Sequence, residues 1–262
     1  MPLIVFGSPK GGVGKTSVAA NVAASLAQLG LRTLTLDLDP QNALRLHFGV
    51  ALQDGAGFAG ALSGATPGVP LTAFVRQTQW GVGLLPFGQV DTAAAAAVAD
   101  TLARSPEAFT GFLQQMLADP GLMVVIDTPP GPSSALTAIL PYTDLLVCVL
   151  LTDAVSAALL PSVEAGRAFG PGTQHGADGG RLRYVLNQFE PYSRLSRSTA
   201  EALRPYLGPR LLGEIRRDEM VAEAAAGQCP LPYFAPHSLA AGDIAQIARQ
   251  IAGGFAPGWG AA

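Results

Sequence analysis

A chain of 262 residues, 49% hydrophobic and only 13% charged, is apolar for a soluble protein and long enough to bury a large core as one α/β domain. Its longest apolar stretch, Leu145 to Leu151, is strand-sized and excludes a membrane-spanning helix, and a formal net charge of −3 gives no general electrostatic reason to bind DNA. Cys148 and Cys229 offer neither a disulfide framework nor metal spacing, and His47, His175 and His237 are too scattered for a metal site. The start of the chain lacks a basic, leader-like segment, so a cytoplasmic protein is expected.

In chain order, Leu3-Ile4-Val5-Phe6 is a short apolar run ended by glycine and proline, which predicts a buried parallel strand. The run Gly7-Ser8-Pro9-Lys10-Gly11-Gly12-Val13-Gly14-Lys15-Thr16-Ser17 follows. Gly11, Gly12 and Gly14 allow positive φ and place no Cβ between the backbone and an anion, so consecutive N–H groups converge on phosphate oxygens. An Ala-rich helix from Lys15 to Ala27 points its N-terminus, with its unpaired N–H groups, at the same phosphates. Lys15 pairs with the β- and γ-phosphates in this reading, and the Thr16 hydroxyl ligates Mg²⁺. Lys10 to Ser17, with Val13 and Ser17 included, is the expected nucleotide-binding segment.

A strand over Thr33 to Asp37 ends in two carboxylates, Asp37 and Asp39, before Pro40 stops it. Asp37 is placed to hold a water of the Mg²⁺ shell, since that ion takes few protein ligands. Gln53 to Pro70 is Gly/Ala-rich and ambiguous, read as a short helix between loops. Further strands are expected over Gly83 to Leu85, Met123 to Asp127, Leu145 to Leu151, Tyr184 to Asn187 and Leu211 to Ile215. Ala93 to Ala97 is helix-prone, Gly170 to Gly180 is a surface loop, and the tail from about 253 is irregular. The apolar run closed by Asp127 fits a carboxylate near Mg²⁺. Strands alternating with helices predict a doubly wound, mostly parallel sheet with helices on both faces, in a single domain spanning 1–262.

The phosphate loop departs from the general pattern, which has glycine where this chain has Pro9. With Lys10 five residues ahead of Lys15, it resembles the deviant loop of the MinD/ParA family of P-loop NTPases. The resemblance covers nearly the whole chain. It implies an ATPase using ATP and Mg²⁺ in an ATP-dependent homodimer, in which Lys10 of one subunit reaches the phosphates bound by the other. Asp39 then orients the attacking water, so Lys10, Lys15 and Asp39 are the expected catalytic residues, and Thr16, Asp37 and Asp127 the metal residues. Asn187 matches the family asparagine that reads the adenine edge. Ile215 to Ala224 resembles the loop packed on the adenine, with Arg217 flanking the base and Arg216 where many members have proline.

Within that family, Asn42 to Val50, Leu84 to Gln89, Arg217 to Glu223 and Ser238 to Ile244 are similar to the BcsQ (YhjQ) group of bacterial cellulose secretion systems. This implies an accessory subunit of the cellulose synthase complex, recruited to the inner membrane through partner subunits. Strong direct membrane binding is not expected, because Gly253 to Gly260 contains no lysine or arginine and cannot form a continuous helix. Two alternatives remain. A ParA-type partition ATPase on nucleoid DNA needs a basic surface, for which Arg194, Arg197, Arg204, Arg210, Arg216 and Arg217 are the candidates. The other is an interaction module that holds ATP without turnover, against which the retention of Asp39 and Lys15 argues.

Overall fold

The computed structural model describes residues 2–51, 53–66, 68–119, 121–170 and 180–255. Among them, eight strands form one sheet: β1 (Leu3–Gly7), β2 (Arg32–Asp37), β3 (Arg76–Gln77), β4 (Val82–Leu85), β5 (Leu122–Asp127), β6 (Leu145–Leu151), β7 (Leu182–Phe189) and β8 (Leu211–Arg216). The order is β3-β4-β2-β5-β1-β6-β7-β8, with every pairing parallel except β3 against β4. All seven expected strands are present. The additional one, β3, is a two-residue polar edge strand with no apolar alternation to announce it.

The helices are α1 (Lys15–Gln28), α2 (Ala59–Leu62), α3 (Thr92–Arg104), α4 (Glu107–Leu117), α5 (Ser134–Ile139), α6 (Ala154–Glu164), α7 (Arg194–Leu207), α8 (Met220–Ala226), α9 (Leu231–Phe234) and α10 (Leu239–Gly254). Successive strand side chains point to opposite faces, and both faces are covered. Leu3 and Val5 of β1 join one core with α3 to α7, whereas Ile4 and Phe6 join a second with α1 and α8 to α10. These four side chains are fully buried, at about 1.5–3 kcal/mol each, so the first strand is anchored on both sides.

The ambiguous stretch from Gln53 contains the four-residue α2 between loops, and the alanine tract falls inside α3, whose N-cap is Asp91, accepting from Ala94 N at 2.7 Å. The C-terminal helix runs through Gly254, beyond the expected start of the tail near 253. Gly254 is buried, and Ile247, Ala248 and Ile251 of the same helix belong to the core shared with α1, a packing that overrides glycine's poor helix propensity. The loop expected from Gly170 to Gly180 and the rest of the tail fall largely on 171–179 and 256–262, outside the described residues.

Candidate functional site

The phosphate loop leaves the carboxyl end of β1, the central strand, where β5 and β6 flank it on opposite sides. In open α/β sheets such a switch point opens a crevice for ligands. Gly14 is the N-cap of α1 with φ 79°, and a Cβ there would lie 2.5 Å from Asn187 Nδ2. Glycine is needed on both counts. Asn187 lies near the end of β7, which runs two residues past the expected end to Phe189, and donates from Nδ2 to Val13 O at 2.7 Å, so the loop is pinned from across the sheet.

Three carboxylates gather beneath this loop. The parallel register of β2 and β5 sets Asp37 beside Asp127. Asp127 accepts from Lys15 Nζ on one oxygen at 2.5 Å and from Thr16 Oγ1 on the other at 2.6 Å. Asp37 accepts from the backbone N–H groups of Asp39 and Leu44, both at 3.0 Å, which folds the segment after β2 back over the strand end. Both carboxylates are fully buried. Burial, followed by the neighbouring Asp127 charge, holds the Asp37 carboxyl well above its ordinary range. Burial also raises Asp127, against the pull of the Lys15 ammonium and the Thr16 hydroxyl. Asp39 is 9% exposed and accepts from Gln41 N at 3.0 Å. Thr16, Asp37 and Asp127 form an all-oxygen donor set of one hydroxyl and two carboxylates. That chemistry fits a hard divalent cation completing its shell with water and phosphate.

Lys10 lies at the rim and is held within its own chain, 2.7 Å from Asp153 Oδ2. The other oxygen of Asp153 caps α6 by accepting from Ser156 N at 2.7 Å. Burial raises the Asp153 carboxyl, but the hydrogen bonds from Lys10 and Ser156 outweigh it and leave the group below its usual value. Sequence reasoning missed Asp153 as the partner of Lys10. An Asp three residues before Ser156, directly after an apolar strand, reads as a helix cap, and only the fold brings it to the loop.

Beside the loop, Gly14, Ser17, Asn187, Gln188, Arg217 and Val221 line a cleft of about 350 Å³. Gln188 adopts φ 55° where the β7–β8 register breaks, a local strain that the sequence does not signal. Arg217 stands at the cleft and pairs with Glu190 at 2.5 Å, while Arg216 turns away to Asp243 on α10, 2.6 Å distant. Ser17 Oγ lies 3.4 Å from Nε2 of His47, which belongs to the 3₁₀ turn Leu44–Phe48. A larger hollow of about 570 Å³ lies away from all these groups, at the amino ends of β2 and β5, between Arg32, Gln77 and Asp119.

Comparison with known proteins agrees with this architecture. The profile of the family described as "Cellulose biosynthesis protein BcsQ" matches residues 1–251. The chromosome-partitioning ATPase Soj of Thermus thermophilus is 29% identical over 258 residues, covering 95% of this chain and 94% of Soj. The cellulose biosynthesis protein BcsQ of Escherichia coli K12 is 27% identical over 240 residues, 92% of this chain and 90% of that protein. Among solved structures, the septum site-determining protein MinD of Pyrococcus horikoshii, complexed with Mg-ADP, superposes with a TM-score of 0.73 at 20% identity, covering 95% of each chain. At that identity the likeness shows the fold alone. On the profile match across nearly its whole length, the chain belongs to the BcsQ family and has the fold of the MinD/ParA P-loop ATPases.

Proposed function

We propose that the protein binds and hydrolyses ATP as a dimeric switch and serves as an accessory subunit of a cellulose synthase complex. The observation that carries the ATPase reading is Asp127 gripping both Lys15 and Thr16 at the base of the glycine loop, with Asp37 alongside. A magnesium ion there would neutralise charge on the β- and γ-phosphates. Lys15, freed from Asp127, pairs with the same phosphates, and the α1 N-terminus adds its N–H groups. Asp39, at the start of the turn folded over Asp37, orients and deprotonates the attacking water. Adenine is the favoured base. With Asn187 Nδ2 committed to Val13 O, the amide offers a base its acceptor oxygen, which suits the exocyclic amine of adenine and repels the carbonyl of guanine.

Lys10 serves the dimer. It is paired with Asp153 in the single chain, and its use is to complete the site of a second copy. A trans-acting cation of this kind contributes on the order of 10³–10⁵ in rate in related phosphoryl transfers. Membership of the BcsQ family supports the assignment to cellulose synthesis, with recruitment from the cytoplasm to the inner membrane through partner subunits.

The test is phosphate release with Mg-ATP by the wild type and Asp39→Ala. Asp39→Ala should bind ATP with near-parental affinity and lose most turnover, accumulating the dimer. Parental turnover in that variant refutes the role of Asp39, and absence of any phosphate release by the wild type refutes the enzyme. Lys15→Ala is a poorer probe, because it leaves two buried carboxylates unbalanced and costs about 3–5 kcal/mol of stability besides affinity. Purification of Asp39→Ala from native cells should enrich cellulose synthase components. Partition proteins in their place would favour the function of the Soj relative.

A further inference from the structure

Buried polar groups without a hydrogen-bond partner are scarce in folded proteins, so their positions are informative. Among the described residues, side-chain atoms of Ser8, Ser25, Asn42 and Trp80 are of this kind. Asn42 is the extreme case, with both ends of its amide unpartnered although the residue is only 4% exposed. Its backbone is constrained too, at φ 52° in the left-handed region. Its own main chain is engaged on both sides. Asn42 N donates to Asp39 O at 2.8 Å, Asn42 O accepts from Arg45 Nε at 3.2 Å, and Leu44 N is the group that holds Asp37. Only the amide lacks a role in this arrangement. A second unpartnered group, Ser8 Oγ, lies in the phosphate loop, 1% exposed, so two of the four cases fall on segments framing the same crevice.

We propose that Asn42 is a positioning residue for Asp39. Its amide takes its hydrogen bonds in a second arrangement of the Asp39–Leu44 turn, the one adopted around a nucleoside triphosphate, and holds Asp39 there. This rests on the ATPase reading above. The strained φ and the idle amide disfavour the present arrangement, so a bound terminal phosphate has less to overcome in shifting the turn. A diphosphate lacks the group that the closed turn recognises. Asn42 thereby contributes to telling ATP from ADP without belonging to the phosphate loop.

The experiment compares thermal unfolding of the nucleotide-free protein with that in saturating Mg-ADP and in a magnesium complex of a non-hydrolysable ATP analogue. The wild type should be stabilised further by the triphosphate than by the diphosphate. In Asn42→Gly, which removes the amide and accepts the positive φ, the diphosphate shift should persist and the extra triphosphate shift should disappear. Its kcat should fall about tenfold, the worth of roughly one hydrogen bond, with KM for ATP nearly unchanged. Its nucleotide-free Tm should change little, because the deleted amide had no hydrogen-bond partners to lose and glycine's ease at positive φ offsets the lost packing. Asn42→Leu, which keeps the shape of the amide without its polar atoms, should show the same nucleotide pattern. A wild-type triphosphate shift and kcat in both variants would overturn the proposal, as would an equal loss of Tm in all three states, the behaviour of an ordinary packing residue. A wild type that neither nucleotide stabilises refutes the ATPase reading itself and the proposal with it.

Discussion

Lys10 and Asp153 show how far one ion pair can be read. The two groups are 23% and 33% exposed, so their pairing contributes about 0.2–1 kcal/mol, enough to bias a dimer and too little to forbid it. Asp153→Asn keeps a competent helix cap and releases the lysine. Both copies lose their pair, so light scattering should then find the ATP-dependent dimer at protein concentrations roughly 2- to 30-fold lower than for the wild type. Lys10→Ala should abolish the dimer and its turnover. His47 gives a second prediction. Burial lowers its pKa from 6.5 to about 4, so the unfolded chain binds the proton more readily across that interval. Stability from this residue is complete above pH 6.5 and is lost as pH falls towards 4, by about 3 kcal/mol at most. Denaturant titrations should show that slope in the wild type and a flatter one in His47→Gln. The residues proposed to bind phosphate were legible because their spacing is dictated by backbone geometry over a few positions, as with Gly12, Gly14, Lys15 and Thr16. Asp153, Gln188 and Asn42 were not, because what marks them is a contact or a φ angle made by distant chain.

At the level of elements, the clearest strands in the sequence are those buried on both faces, such as Leu145–Leu151, where every residue is apolar and Asp144 and Asp153 bracket the run. The stretch from Gln53 to Pro70 was ambiguous for a physical reason. Its path is set by a crossing with the segment after β4, where Phe58 N donates to Pro86 O, Ala59 N to Phe87 O and Gln89 N to Gly55 O. Two glycines meet there. A Cβ on Gly57 would lie 2.2 Å from Gly88 N, and Gly88 has φ 98°, so neither backbone can yield to a side chain. Nothing local in the sequence announces such a crossing. Gly57→Ala should therefore behave as an overpacked core substitution, costing about 1–3 kcal/mol or more. Differential scanning calorimetry should register a fall in Tm of about 2–4 °C per kcal/mol. An unchanged Tm would mean that the crossing opens without cost.

Across the whole molecule, the distribution of charge decides between surfaces. Of the six late arginines that are the candidates for a basic patch, Arg204, Arg210, Arg216 and Arg217 are paired with Glu214, Glu164, Asp243 and Glu190. The chain carries a formal net charge of −3, and pairing leaves little positive surface to displace counterions from a phosphate backbone. Retention on bare DNA at roughly physiological salt should be undetectable at micromolar protein, the range in which non-specific binders are held. Salt-sensitive retention would restore the partition reading. The central position of β1 has a further consequence, for synthesis. Thr128 beside β5 donates to Phe6 O from 122 residues away, and β6 on the other flank comes later still. A ribosome adding 5–20 residues per second needs roughly 6–24 s to cover that distance. Through all of it the most apolar segment of the N-terminus, and the glycine loop that depends on it, have no sheet to join. β1, made well before both of its neighbours, is thus among the last of these strands to be enclosed, and the nascent chain has to be kept from aggregating through that apolar segment until β5 and β6 emerge.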